Sequence, residues 1–145
     1  MKTSEQGLDL LIEREGSRND AYLDSVGVVT IGCGHTGPEV HMGLHWSDEE
    51  IKEALAKDIA FFEAAVNGYV TVPLTQNQFD ALVSFTFNVG MSAFHQSTML
   101  KLLNTGNADQ VPAQFDRWHI PPEITSRRNG EREQFKGTQF KARIP

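Results

Sequence analysis

Residues 21–46 read AYLDSVGVVTIGCGHTGPEVHMGLHW, and the fold turns on how their glycines are understood. Gly32, Gly34 and Gly37 fit G-x-G-x-x-G, and the apolar VVTI before them has strand character. A dinucleotide loop with that pattern opens a helix inside a β-α-β unit. The continuation here is PEVHMGLHW, which carries Pro38 and Gly43 and no helical period. There is no G-K-[ST], and no strand pattern follows residue 46 from which a parallel sheet might be built. A nucleotide loop is therefore rejected. The same residues spell a β-hairpin over 21–33: AYLD, a turn SVG, then VVTIGC. A three-residue loop ending in Gly27 suits a type I turn followed by a glycine bulge. The later glycines serve positions with special backbone angles at the hairpin's exit.

Outward from the hairpin the pattern is helical. Leu8, Leu11 and Ile12 fall on one face of a predicted helix over 4–15, with Thr3 or Ser4 to cap it and Gly16 to stop it. After a Gly, Pro and His loop, SDEEIKEALAKDIAFFEAAV predicts one long helix over 47–67, with Ser47 and Glu50 as a capping box. TQNQFDALVSFTFNVG predicts another that ends at Gly90, and three more are expected over 92–104, 107–118 and 126–136. The expected class is α+β: a mainly helical fold with a small N-terminal β-hairpin lobe. Its boundaries are a hairpin lobe over 16–46, a connecting helix over 47–67, and a helical lobe from 1–15 and 60–145.

The chain has 145 residues, enough for one domain with a sizeable core, and 39% hydrophobic with 22% charged residues is ordinary for a globular protein. No stretch reaches the roughly 20 apolar residues of a membrane span. The start, MKTSEQGLDLLIERE, lacks a signal-type apolar run, so synthesis in a cytoplasm is expected. The net charge of −6 argues against a nucleic-acid partner. From Ile124 onward six Lys or Arg stand against Glu131 and Glu133, a local +4 that suits either a polyanion contact or a solvated helix face. Cys33, the one cysteine, reads as a packed strand residue. Cys33, His35, His41 and His45 match no zinc spacing, and neither a metal nor a cofactor is expected.

The chemistry-bearing pattern is a pair of carboxylates. Glu15 follows Ile12, Leu11 and Leu8 by three, four and seven residues, which puts it on the apolar stripe of the first helix. It also stands at the negative end of that helix, the setting a general acid needs, although spacing alone fits a solvent-facing Glu at a frayed helix end equally well. Asp24 closes the first hairpin strand, where the common role is a turn residue whose side chain bonds backbone N–H groups. With SVG as the loop it lies opposite Val28, so Thr30 is its diagonal neighbour on one sheet face. A carboxylate and a hydroxyl so placed suit the holding of one water. An acid plus a distal carboxylate is the minimum equipment for hydrolysing a glycosidic bond.

Here the sequence resembles the bacteriophage lysozymes, or endolysins, of glycoside hydrolase family 24. EGSRNDAYLDSVGVVTIGCGHTG carries the family's E-x8-D-x5-T signature as Glu15, Asp24 and Thr30. TIGCGHTG, VPLTQNQFDALVSFTFNVG, FDRW and SRRNGEREQF extend the likeness over nearly the whole chain. The Pro-rich approach HIPPEITSRR departs from the family pattern. The resemblance implies a two-lobed lysozyme fold and a monomer that cleaves the β-1,4 bond between N-acetylmuramic acid and N-acetylglucosamine in bacterial peptidoglycan. It implies Glu15 as acid, Asp24 and Thr30 as holders of the attacking water, and inversion at the anomeric centre. Arg127 or Arg128 is implied as partner of the catalytic Glu. An ion pair of His35 with Asp58 that lifts the His pKa, and sugar contacts at Phe87, Asn88 and Ser97, are also implied. A phage enzyme of this kind reaches the wall after a separate protein permeabilises the membrane. The alternatives are a lytic transglycosylase, which needs no second carboxylate, and a non-catalytic wall-binding or tail module.

Overall fold

The computed structural model describes residues 1–119 and 124–137. Its elements run α1 (Glu5–Glu15), β1 (Arg18–Leu23), β2 (Val29–Gly32), α2 (Asp48–Asp58), α3 (Ala60–Tyr69), α4 (Gln76–Val89), α5 (Met91–His95), α6 (Thr98–Asn104), a 3-10 turn (Ala108–Gln110), α7 (Val111–Phe115) and α8 (Thr125–Lys136). The chain divides into two compact units. One holds Leu8–Ala60; the other holds Met1–Gly7 with Phe61–Pro145.

In the Leu8–Ala60 unit, β1 and β2 form an antiparallel pair with Tyr22 opposite Thr30 and Leu23 opposite Val29. The turn is the expected one: Gly27 has φ 84° and its N–H donates to the Asp24 carbonyl at 3.1 Å. The strand begins at Arg18, earlier than the expected Ala21, because the register shifts between Arg18 and Tyr22. The outer edge of β1 is covered by the following loop. Ala21 N–H donates to the Leu44 carbonyl at 3.0 Å, and Trp46 N–H donates to the Asn19 carbonyl at 2.7 Å. That pairing blunts an otherwise open sheet edge.

The glycines after β2 make a tight reversal. Ile31 and His35 exchange both backbone hydrogen bonds at 2.9 Å, so Gly32-Cys33-Gly34 is the loop between them. Gly32 (φ 65°) and Gly34 (φ 76°) sit in the left-handed region, which glycine enters without steric cost. The Trp46 ring and the Ile51 side chain also lie about 3.4–3.5 Å from where a Gly32 Cβ would stand. Ser47 caps α2 through the full capping box with Glu50. Ile51 and Leu55, on one face of α2, are each 2% exposed.

The long helix expected over 47–67 is two helices. Ile59 adopts φ −82° and ψ −9°, and its N–H is shared between the Leu55 and Lys57 carbonyls. The helix ends there, and α3 starts afresh at Ala60.

In the other unit, α4 is buried along Phe79–Thr86, so it is a central helix rather than an amphipathic one. Thr75 and Gln78 cap its start. Phe85 meets Phe115 and Trp118 edge to face at 5.6 and 5.3 Å between centroids, the favoured geometry for aromatic pairs. Phe79, Phe94, Met99, Leu103 and Val111 complete a dry core. The expected helix over 92–104 is broken at Ser97, whose hydroxyl accepts from Leu100 N–H and caps α6. Where one helix was expected over 107–118, α7 stops at Phe115. Ser4 caps α1, accepting from Gly7 N–H at 3.0 Å. Buried Asp80 in turn holds Ser4 through its N–H at 3.1 Å and its hydroxyl at 2.5 Å.

Candidate active site

The turn of the hairpin shapes Asp24. One carboxylate oxygen, Oδ1, accepts from Val26 N–H at 2.9 Å and from Val28 N–H at 2.8 Å. Among the described residues none donates to Oδ2. Asp24 N–H donates to the Val28 carbonyl at 3.0 Å, so the two residues face each other as the turn length predicts. Thr30 is 3% exposed, and its hydroxyl donates to that same Val28 carbonyl at 2.9 Å. Since Tyr22 pairs with Thr30, and side chains alternate along strands, Tyr22, Asp24 and Thr30 share one face.

Glu15 is the last residue of α1, half-buried, and Gly16 (φ 72°) turns the chain away behind it. Its charge reaches Cys33 just beyond β2. Burial first, then the Glu15 and Asp58 carboxylates, push the Cys33 thiol up to about 11. A thiol so disfavoured as thiolate is a packing residue and no nucleophile.

His35 is held from both sides. Its Nδ1 lies 2.7 Å from Asp58 Oδ2 and its Nε2 lies 2.6 Å from Glu39 Oε1. Burial opposes charge on the ring, but the bonds to Glu39 and Asp58 outweigh it and the His35 pKa is raised. Both ring nitrogens donate only in the imidazolium form, so the clamp selects the charged ring. Glu39 was missed in the sequence. Its spacing of four from His35 was the available signal, but the intervening loop is not helical.

The remaining candidates lie in the helical unit. Phe87 is half-buried and meets Phe62 edge to face at 5.2 Å. Asn88 is exposed, and its Oδ1 accepts from Arg128 Nη2. Ser97 is 7% exposed, with its hydroxyl bonded to Leu100 N–H and the Phe94 carbonyl. Arg127 donates to the Ser84 carbonyl at 2.8 Å and to Glu131 at 3.1 Å. Arg128 spends its guanidinium on Glu131 at 2.6 Å, the Trp118 carbonyl at 3.0 Å and Asn88, and stacks over Phe85. Glu131 is fully buried and also accepts from the Ser84 hydroxyl at 2.6 Å. Of the six basic residues in the C-terminal segment, Arg127 and Arg128 are buried beside Glu131. The Pro-rich approach over 120–123, and Lys141 and Arg143 of the same segment, lie outside the described residues.

Residues 12–131 match the description Phage lysozyme. The chain belongs to the phage lysozyme family. Similar to this lysozyme is the endolysin of Salmonella phage P22, 41% identical over 143 residues that cover 93% of this chain and 98% of that one. A crystal structure of a P22 lysozyme mutant has a TM-score of 0.89 at 40% identity, covering 94% of this chain and 99% of that one. The muramidase domain of SpmX from Asticaccaulis excentricus has a TM-score of 0.82 at 37% identity, covering 92% and 97%. The mainly helical architecture with a two-stranded antiparallel sheet is that of phage lysozymes, and this lysozyme is an endolysin, a glycoside hydrolase acting on bacterial peptidoglycan in the cell wall.

Proposed function

We propose that this phage lysozyme is a muramidase, hydrolysing the β-1,4 bond between N-acetylmuramic acid and N-acetylglucosamine. The observation that carries the reading is Asp24: a carboxylate tied by one oxygen to two turn amides, beside a hydroxyl on the same strand face. The two turn amides hold this carboxylate in place through one oxygen and leave its second oxygen for a water, so the turn role and the water-activating role are compatible. The muramidase domain among the similar structures favours the same bond.

In the proposed step, water oxygen bonds to the anomeric carbon while the bond from that carbon to the leaving oxygen breaks. Glu15 gives its proton to the leaving oxygen, and Asp24 takes one from the water. A water held opposite the leaving group displaces it directly, so inversion follows. Arg127 is assigned the family's supporting arginine role rather than Arg128, whose guanidinium is committed to Glu131, Trp118 and Asn88. Phe87, Asn88 and Ser97 are assigned to sugar binding. We assign release through the host membrane to a separate permeabilising protein; lysis by this chain expressed alone would contradict that.

Mass spectrometry of digested peptidoglycan tests the reaction. Hydrolysis adds one water to each new reducing end, whereas a transglycosylase leaves 1,6-anhydro ends. Glu15→Gln and Asp24→Asn should each lose about two to four orders of magnitude in kcat. An Asp24→Asn variant that turns over normally would favour the transglycosylase route, and a wild-type chain with no cleavage at all would leave only a wall-binding module.

A further inference from the structure

The backbone of the hairpin turn carries more of the proposed chemistry than its side chains suggest. Val28 is the point of convergence. Its N–H donates to Asp24 Oδ1 at 2.8 Å, and its carbonyl accepts from the Thr30 hydroxyl at 2.9 Å and from Asp24 N–H at 3.0 Å. One residue's backbone thus touches both groups assigned to the water.

The bond from Thr30 fixes the polarity of its hydroxyl. A hydroxyl has a single proton and two lone pairs. With that proton donated to Val28, Thr30 Oγ1 faces its remaining surroundings as an acceptor only. Asp24 Oδ2 is likewise an acceptor, its sister oxygen being occupied by Val26 and Val28 N–H. Water has two protons. If each goes to one of these acceptors, a water lone pair is left pointing away from both, toward an electrophilic carbon. Were the Thr30 hydroxyl free to rotate, it would donate to the water instead of accepting from it, engage one of the two water lone pairs and leave one water proton without its acceptor.

Gly27 delivers this arrangement. Its N–H donates to the Asp24 carbonyl at 3.1 Å, and its φ of 84° lets the chain return so that the Val28 amide joins that of Val26 on Asp24. No heavy atom lies within 4 Å of where a Gly27 Cβ would stand, so its conformation, and not lack of space, is what requires glycine.

We infer that the Gly27–Val28 turn is the positioning element of the water site, its Val28 N–H aiming Asp24 and its Val28 carbonyl taking the Thr30 proton, so that Asp24 and Thr30 meet one water as paired acceptors. The inference rests on the assignment of Asp24 and Thr30 proposed above. Gly27 and Val28 are positioning residues: they act through Asp24 and Thr30 and touch no substrate atom.

Three variants test it. Gly27→Ala places an L residue where φ is positive; Gly27→D-Ala, made by chain ligation, adds the same methyl where φ 84° is favoured. An amide-to-ester change at Val28 removes its N–H and keeps every side chain. Turnover is read as new reducing ends on solubilised peptidoglycan, with kcat and KM determined separately. A donor lost from a charged acceptor predicts that the Val28 ester lowers kcat by about ten- to a hundred-fold at unchanged KM. Gly27→Ala should lower kcat in the same sense, and Gly27→D-Ala should restore it.

Wild-type kcat in the Val28 ester overturns the inference. A D-Ala variant as slow as the L-Ala variant also overturns it, because bulk and not conformation would then be the cause; so does a rise of KM in step with the fall of kcat. If Gly27→Ala fails to fold, the ester and D-Ala variants still decide. Asp24→Asn and Thr30→Val run alongside separate the two levels. Full turnover by both sinks the catalytic reading, whereas inactivity of both with active turn variants sinks only the positioning role.

Discussion

Replacing Arg128 by methionine should unfold this protein far more readily than any exposed arginine replacement. Arg128 is 1% exposed and Glu131 is fully buried, so their 2.6 Å pair is shielded from water. Methionine fills much of the volume but donates nothing. The Oε1 of Glu131 and the Trp118 carbonyl each lose a donor, at about 1–3 kcal/mol apiece. Loss of the guanidinium from the Phe85 face adds about 0.5–2 kcal/mol. Glu131 keeps Arg127 and Ser84, which limits the damage. These contributions sum to about 2.5–8 kcal/mol, and with the retained partners the loss should lie near ~4 kcal/mol, within the roughly 3–5 kcal/mol expected when a buried ion pair loses one partner. For a chain of 145 residues that lowers Tm by roughly 8–16 °C. Urea unfolding followed by circular dichroism measures it directly. Adding Glu131→Gln should cost less than its own single effect, with coupling of about 1–3 kcal/mol between the two. A loss under about 1 kcal/mol at unchanged m, or strict additivity of the pair, would refute the account of a shielded charge network.

Three further outcomes follow from the structure. Because the His35 pKa is raised above its ordinary 6.5, its clamp is fully present below that pH and is lost as pH rises through the folded value; the lowered Glu39 pKa makes its share present above 4.5 and lost on acidification. Stability of the wild type measured between pH 5 and 9 should therefore fall on the alkaline side relative to His35→Asn, and parallel curves would contradict the clamp. Gly7→Ala should cost about 1–3 kcal/mol, since its methyl would stand 2.6 Å from the Asp80 carboxylate and 2.7 Å from Thr3; thermal unfolding checks this. Cys33, with its thiol near 11, should present only about one thiolate in a thousand at pH 8 and react with disulfide reagents mainly on unfolding, so rapid native labelling would contradict its burial.

The hairpin was legible because its signals are local. Gly27 at the third loop position and Asp24 opposite Val28 are facts of spacing, and the turn they describe is the one that forms. The capping box of Ser47 with Glu50 was readable for the same reason. The break at Ile59 was not, because the apolar period continues unbroken through it while the backbone turns by a small change in ψ. Ser97 also carries a helix-start signal that the helix expected over 92–104 passed over; its hydroxyl caps α6. Thr30 was read as a strand residue with a role, but the commitment of its proton to Val28 depends on backbone geometry that no spacing reveals.

By itself the sequence determined the hairpin turn and register, the capping box of Ser47 with Glu50 and the helical character of most of the rest, since periodicity, caps and turn chemistry act over a few residues. Only tertiary structure decided which charges are buried and with whom. Glu131 took Arg127, Arg128 and Ser84 as partners, Asp80 took Ser4, and His35 acquired Glu39 beside Asp58. Two of those links join α4 to residues 47 and 76 positions away in the chain. The cost of leaving a buried charge unpaired is what selects such partners, and that cost exists only once the core has closed around them.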